Sequence, residues 1–306
     1  MLAGRRYLSL DPLLPYTGDP PDGCSSPLIA VDQAGRPAGF GLCCHNSVPA
    51  DSLDQTWGMA TRYVLTLRLR DPDTLPATDL LLAQWHEHLS GLREANDADT
   101  AAMVTWPSRE TSGVRALLKH GMQPIEVLAA RPSGRTTPAP DVAGVVVRDA
   151  TPGDIDAVVE MTMSLIAHDA QFGAIVPRPA TEALVRSDAR VALKRQPSWI
   201  WLAERHRHPV GLVVVQPPRD ATWITGMTGA GPAAYLVVGF VTPEERGTGT
   251  AAMLVRQAHA FLDAERIAVT LLHYSQVNPA SGPFWARMGY RPLWTSWQVR
   301  PAAALR

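Results

Sequence analysis

The stretch VTPEERGTGTAAM, residues 241–253, decides how the chain is read. It places glycines and small residues between the apolar run AAYLVVGFV and the segment AAMLVRQAHAFLDAER, in which Met253, Leu254, Ala258, Phe261 and Leu262 keep helical spacing. Gly247, Gly249 and Ala252 spell G-x-G-x-x-A, the form of a dinucleotide fingerprint. The context opposes that reading. Several residues separate Val241 from Gly247, the next apolar run ends in His273 and Tyr274 instead of an acidic ribose ligand, and only about sixty residues follow. A nucleotide P-loop would need a lysine after the last glycine, and none is near. Two readings remain: a glycine-softened turn, or an anion site. The second is favoured, because small residues leave the N–H groups of Gly247, Thr248, Gly249, Thr250 and Ala251 uncovered where a helix begins. Unpaired donors and the positive end of the helix dipole suit a pyrophosphate there. Arg246 adds a fixed charge at the rim.

Outward from this stretch, the pattern reads as one unit. VVVRDA (145–150) opens as a strand, and Thr151, Pro152 and Asp154 start a helix over IDAVVEMTMSLIAH. A second helix is predicted over 180–195. SWIWLAER and VGLVVVQ form a hairpin across the turn from His206 to Pro209. After the glycine motif come IAVTLLHY as a strand, PASGPFWARMG as a helix and YRPLWTSWQVRP as a closing strand.

The unit is written twice. RALLKHGMQP (115–124) matches PFWARMGYRP (283–292), and AVDQAGRPAGFGL (30–42) matches LAERHRHPVGLVV (202–214), at similar offsets. Between the halves, ARPSGRTTPAPDVAG (130–144) is rich in Pro, Gly, Ser and Thr and reads as a linker. Two domains are expected, over 1–135 and 141–306, in line with a length of 306 residues.

Composition narrows the ligand. With 46% hydrophobic and 19% charged residues, the chain can fold on apolar burial alone, and a net charge of -1 gives no basic footprint for nucleic acid or a membrane surface. Cys24, Cys43 and Cys44 form no CxxC pair, so they are expected as buried apolar fillers, without a disulfide framework or zinc site. Trp85, His86 and His88 sit on a predicted helix, but histidines two apart do not share a face, and no metal is expected. Arg5 and Arg6 have a twin-arginine look, yet Asp11, Pro12 and Pro15 interrupt any apolar segment behind them, and no run reaches spanning length. A cytoplasmic protein acting on a small molecule is expected.

Val241, Pro243, Arg246, Gly247 and Gly249 together resemble the acyl-CoA signature of the GNAT N-acetyltransferases, R/Q-x-x-G-x-G/A after a strand ending V-x-P. Asn278, Phe284, Trp285, Gly289 and Tyr290 are similar to that family's later Asn, Leu-Tyr and Gly-Phe pattern. The resemblance covers residues 145–300 well and the first half more weakly, as in a tandem GNAT protein. It implies an α/β (α+β) chain of two GNAT-like domains, each a mixed, mostly antiparallel sheet flanked by helices, with a splayed acyl-CoA-binding strand pair in the second.

By that resemblance, Gly239, Phe240 and Val241 would pair with the pantetheine arm of acetyl-CoA, Arg246 to Ala251 would cradle the pyrophosphate, and Asn278 would meet the pantetheine. An amine would attack the thioester directly. The implied activity is acetyl transfer to a small-molecule amine, by a monomer with internal pseudo-dimer symmetry or by a homodimer. Alternatives are a non-catalytic acyl-CoA sensor, another acyl group, or a hydroxyl acceptor. Two departures bear on this. Trp285 stands where the family places a tyrosine acid, and AAYLVVGFV lacks the glutamate that often serves as base. Candidates in its place are Tyr274, Tyr235 and His168, with Asp169 and His273 beside them; His273 and Tyr274 alternate, so only one can face a given side.

In the first half, RDPDTLPATD (70–79) occupies the place of the glycine loop. Asp71, Asp73 and Asp79 would repel a phosphate, and Pro72 and Pro76 remove donors. This half is expected to bind no CoA and to be structural or acceptor-shaping. Trp294 and Trp297 are expected to pack in the closing strand.

Overall fold

The computed structural model describes residues 7–15, 27–70, 75–135 and 141–306. Arg5, Arg6, Cys24, residues 71–74 of the Asp- and Pro-rich stretch, and residues 136–140 of the linker lie outside them. The chain divides into two compact units. Met1–Leu128 and Pro292–Arg306 make up the first, and Ala129–Arg291 the second.

The first unit opens with a helical turn at residues 7–10 and the expected hairpin, β1 (Leu28–Val31) and β2 (Pro37–Ser47). Then follow β3 (Thr61–Leu69), α1 (Leu75–Ser90), β4 (Thr100–Pro107), α2 (Val114–Lys119) and β5 (Gln123–Pro132), which passes into the second unit. The second unit contains β6 (Val145–Asp149), α3 (Ile155–Ala170), α4 (Thr181–Ala192), β7 (Ile200–Arg205), β8 (His208–Gln216), the single turn α5 (Thr222–Thr225), β9 (Ala233–Val241), α6 (Thr250–Ala264), β10 (Val269–Ser275) and α7 (Ser281–Arg287). The closing strand β11 (Arg291–Val299) lies in the first unit from Pro292 onward, where it pairs antiparallel with β4 from Trp294↔Pro107 to Val299↔Ala102. A second domain over 141–306 is therefore not one compact body; its closing strand completes the sheet of the other unit.

Each unit repeats the same order: antiparallel strands, then a parallel pair joined by a helix. In the first unit β1, β2 and β3 are antiparallel, and β3 runs parallel to β4 across α1. In the second, β6 to β9 are antiparallel, and β9 runs parallel to β10 across α6. The right-handed twist of strands suits such helix-covered crossovers. The β7–β8 turn carries His206 and Arg207 at φ 51° and 67°, the left-handed pair that lets a two-residue turn follow strand twist.

In the first unit Leu81, Leu82, Trp85 and Leu89 of α1 pack with Leu65, Val104, Trp106 and Trp297 of the sheet. Trp294 and Trp297 are both buried, as strand packing predicts. Asp79 does not face a phosphate loop. It sits on α1, where it binds Lys119 at 2.8 Å and His120 at 2.9 Å. Burial pushes the pKa of the Cys43 thiol up to about 11, whereas Cys44 is disulfide-bonded, which corrects the expectation that the cysteines are only apolar fillers.

In the second unit α6 buries Leu254, Val255, Ala258, His259 and Leu262. The apolar stripe thus includes a histidine that periodicity alone did not assign. His259 lies within hydrogen-bond reach of the Tyr290 hydroxyl at 3.1 Å, and the nearby Arg131 guanidinium is clamped on Asp263 at 3.0 and 3.1 Å.

Candidate active site

The site begins where two parallel strands stop pairing. β9 and β10 are in register only over Ala233↔Val269, Ala234↔Thr270 and Tyr235↔Leu271, although both continue further. Beyond Tyr235, β9 still pairs with β8 on its other side, but with a bulge: Val215 opposes Leu236 and Val214 opposes Val238, leaving Val237 extra. A bulge bends its strand and raises local twist, which here accompanies the departure of Gly239, Phe240 and Val241 from β10. The expected fork is present.

The bulge also sorts side chains. Opposed residues of an antiparallel pair share a face. Tyr235 and Phe240 oppose Gln216 and Leu212, so they lie on one face; Leu236 and Gly239 oppose Val215 and Val213 on the other. On Gly239's face stands Trp285 of α7. A methyl group at Gly239 would come within 3.0 and 3.1 Å of the indole, tighter than ordinary contact, so an alanine there would require the ring to give way. Trp285 is buried and meets Tyr290 edge-on at 5.3 Å. Tyr274 belongs to this side too, with its ring against Gly282, and burial raises its hydroxyl pKa.

At the mouth of the fork Gly249 caps α6 at φ 99°, and Gly247 sits at φ 78° with open space where a side chain would project. Among the five expected donors, the N–H groups of Gly247, Gly249 and Ala251 have no protein acceptor among the described residues. Those of Thr248 and Thr250 are used within the loop, by the Glu245 carbonyl at 3.4 Å and the Thr248 hydroxyl at 3.3 Å. Arg246 is exposed at the rim, as expected.

Glu245, which sequence reasoning missed, braces the loop from below. Its buried carboxylate accepts from Arg205 Nη2 at 3.1 Å, from the Thr248 hydroxyl at 3.1 Å and from the Thr250 hydroxyl at 2.6 Å. Arg205 first, then Thr250, holds its pKa down to about 2. In the sequence it is one of two adjacent glutamates, with no sign of which turns inward.

On Phe240's face a cleft of about 480 Å³ opens between α3 and the end of β9. Glu160, Ser164 and His168 of α3 line it together with Phe240 and Arg246. The spacing i, i+4, i+8 puts the three α3 residues on one helical face, a polar stripe that could have been read from the sequence beside His168. The His168 ring is contacted by Gln171 at 3.0 Å and by Phe172 edge-on.

The structure brings Tyr235 and His273 together: the phenol oxygen is 2.9 Å from Nδ1. It does not bring Tyr274 to them, because the alternation of β10 sends it to the opposite face. Trp223 of α5, another residue not anticipated, is half-exposed over the pair, with its indole N–H donating to Gln216 at 3.0 Å. Asn278 is buried after β10, and its Oδ1 accepts from the Ala280 N–H at 3.0 Å, which shapes the entry to α7. Ser275, at the end of β10, has a buried hydroxyl with no partner among the described residues.

Residues 166–290 match the model of the Acetyltransferase (GNAT) family. A search of curated proteins returns no match. Among solved structures, the chain resembles a GCN5-related N-acetyltransferase from Sphaerobacter thermophilus at 14% identity and a TM-score of 0.56, with 90% of this chain and 81% of that one covered. A tandem GNAT protein from the clavulanic acid biosynthesis pathway aligns over 98% of this chain and 95% of its own at 13% identity and a TM-score of 0.44. A predicted acetyltransferase with acetyl-CoA from Clostridium acetobutylicum aligns over 48% of this chain and 90% of its own, at 14% identity and a TM-score of 0.37. The match to the GNAT acetyltransferase family thus falls on residues 166–290, within the second unit.

Proposed function

We propose that the second unit transfers an acetyl group from acetyl-CoA to the amine of a small molecule. The observation that carries this reading is the fork between β9 and β10 closed at its mouth by the Glu245-braced glycine loop. The fit to acetyl-CoA rests on features of this chain. Among the described residues three loop N–H groups lack acceptors and the buried Ser275 hydroxyl has no partner, and the side-chain position of Gly247 is open.

In this reading Gly247, Gly249, Ala251 and Arg246 bind the pyrophosphate, with Thr248 and Thr250 holding the loop's shape. The unpaired edge of Gly239, Phe240 and Val241 and the Ser275 hydroxyl bind the pantetheine arm, while Asn278 fixes the turn behind it. When bound, acetyl-CoA supplies the activated thioester. Main-chain N–H groups of β9 past the bulge stabilise the charge that develops on the thioester oxygen. Trp285 walls the channel and donates no proton, so the thiolate leaves unassisted by this residue. The cleft with Glu160, Ser164 and His168 receives the acceptor, and orientation supplies much of the rate.

The experiment is acetyl transfer to an amine panel, followed by release of the CoA thiol. Arg246→Glu and Gly249→Asp are expected to weaken acetyl-CoA binding at least about tenfold, the equivalent of about 1.4 kcal/mol. Transfer unchanged by both substitutions overturns the site. Trp285 favours a second reading, a protein that holds acyl-CoA without transferring it; tight acetyl-CoA binding with no transfer to any amine selects that one.

The first unit, in this proposal, is structural and binds no CoA. Its own parallel pair also diverges, after Val64↔Met103, but the chain's N-terminal segment bridges the two strands. The Tyr7 hydroxyl donates to the Leu67 carbonyl at 3.4 Å, and Arg109, just past β4, reaches the Leu10 carbonyl at 3.5 Å and Asp11 at 3.7 Å. The protein is further proposed to act in the cytoplasm; among the described residues no helix is long and apolar enough to cross a membrane.

A further inference from the structure

Tyr235 and His273 lie where the fork closes. Tyr235 belongs to the last paired position, and His273 is two residues past its partner Leu271, so the two side chains span the strands at the point where they part. A thioester inserted along the fork would bring its head to this point. The pair shares its face with Phe240 and the α3 cleft, the side left open for an acceptor. Over both rings stands Trp223, centred 4.8 Å from Tyr235 at 73° and 6.4 Å from His273 at 18°. Trp223 is 57% exposed, yet Gln216 fixes its indole N–H. A large aromatic ring held in place beside a phenol–imidazole pair, with much of its surface open, is an arrangement for receiving a cation.

We propose that Tyr235 and His273 act as one proton-accepting pair for an acceptor that arrives as a primary alkylammonium ion, and that Trp223 receives that ion. This rests on the acetyltransferase reading above. Tyr235 is the catalytic residue and His273 the positioning residue behind it. An ammonium N–H proton passes to the Tyr235 oxygen while the phenol proton passes to His273 Nδ1, leaving a neutral amine and an imidazolium. The freed lone pair forms the N–C bond, the C–S bond breaks, and the sulfur leaves with the electron pair as thiolate. The second amine proton and the imidazolium proton then go to thiolate and solvent, so the net products are amide, CoA thiol and one proton. The groups facing the imidazole are the Tyr235 phenol from β9 and the Trp223 indole from α5.

The test compares phenethylamine, which is cationic at neutral pH, with trifluoroethylamine, which is largely neutral there. Acetyl-CoA affinity is measured in parallel by calorimetry. Tyr235→Phe and His273→Gln are each expected to lower kcat/KM for phenethylamine on the order of 10²-fold, to flatten the acidic limb of its pH profile, and to leave acetyl-CoA affinity within about twofold. The double variant should be no slower than the slower single, as expected for groups acting as a unit. Trifluoroethylamine, already deprotonated, should lose little. Trp223→Ala should raise KM for phenethylamine with kcat held. Single variants within about threefold of the parent on phenethylamine, or equal losses on both amines, overturn the pair while leaving the acetyltransferase reading intact. A parent that binds acetyl-CoA and acetylates neither amine overturns the inference, and only failure across the wider amine panel also removes the transferase reading. Tyr235→Phe keeps the ring and its packing, so a folding defect confined to His273→Gln does not decide the outcome.

Discussion

At the scale of single residues, Glu245 carries the plainest prediction. Glu245→Gln keeps the side chain's size and removes the charge that joins Arg205 to Thr248 and Thr250. We expect a stability loss of about 2 kcal/mol, read by chemical denaturation, together with weaker acetyl-CoA binding, because bonds to charged groups are worth more than neutral ones. His259 predicts a pH dependence. Burial, the largest cause, lowers its pKa from 6.5 to about 3. The unfolded chain takes up a proton at this residue below 6.5 and the folded chain does not, so the contribution to stability is complete above 6.5. It is lost as pH falls toward 3, at about 1.4 kcal/mol per pH unit. Glu245 adds a second acid-sensitive window, from its ordinary 4.5 down to about 2. Denaturation midpoints between pH 7 and 4 check the histidine, with His259→Gln expected to flatten the upper part of the slope. These residues were hard to read in the sequence. Glu245 sits beside an exposed twin, and His259 lies in a helix whose apolar neighbours already satisfy the pattern.

At the scale of elements, the fork was legible and its cause was not. The glycine loop, the hairpin around His206 and Arg207, and α6 all leave marks, because turns need particular residues and helices need period. The bulge leaves none: Val237 and Val238 are identical side chains in an apolar run, and only the partner strand shows which is extra. Deleting Val237 would restore regular pairing with β8, keep Gly239 opposite Val213 on its present face, and remove the bend with which β9 leaves β10. Trp285 would still meet glycine, but the straightened β9 would run on beside β10 and narrow the fork. We expect the deletion variant to retain its secondary structure by circular dichroism and to lose acetyl-CoA binding by calorimetry. Tyr274 belongs to the same lesson. Alternation showed that it and His273 face opposite ways, but only the bulged register determines that His273 shares the acceptor side.

At the scale of the whole molecule, the repeat was visible in the sequence, while the assignment of its closing strand was not. Periodicity assigns an element type; it does not say which sheet edge a strand completes. The pairing of β11 with β4 predicts that a chain ending at residue 290 retains the glycine loop but exposes β4. We expect faster hydrogen exchange at the amides of Ala102 to Pro107, excluding the proline itself, and a lower unfolding midpoint of the first unit. An unchanged midpoint would show that β11 adds nothing to it.

That pairing also sets an order of events during synthesis. A nascent chain usually settles its domains from the N-terminal end as they emerge. Here residues 1–128 must wait for residues 292–306, so the earlier-made unit is completed only after the whole of the other has been synthesised. Throughout translation of the second unit β4 has β3 on one side only, and its other edge is left open to mispairing with other chains.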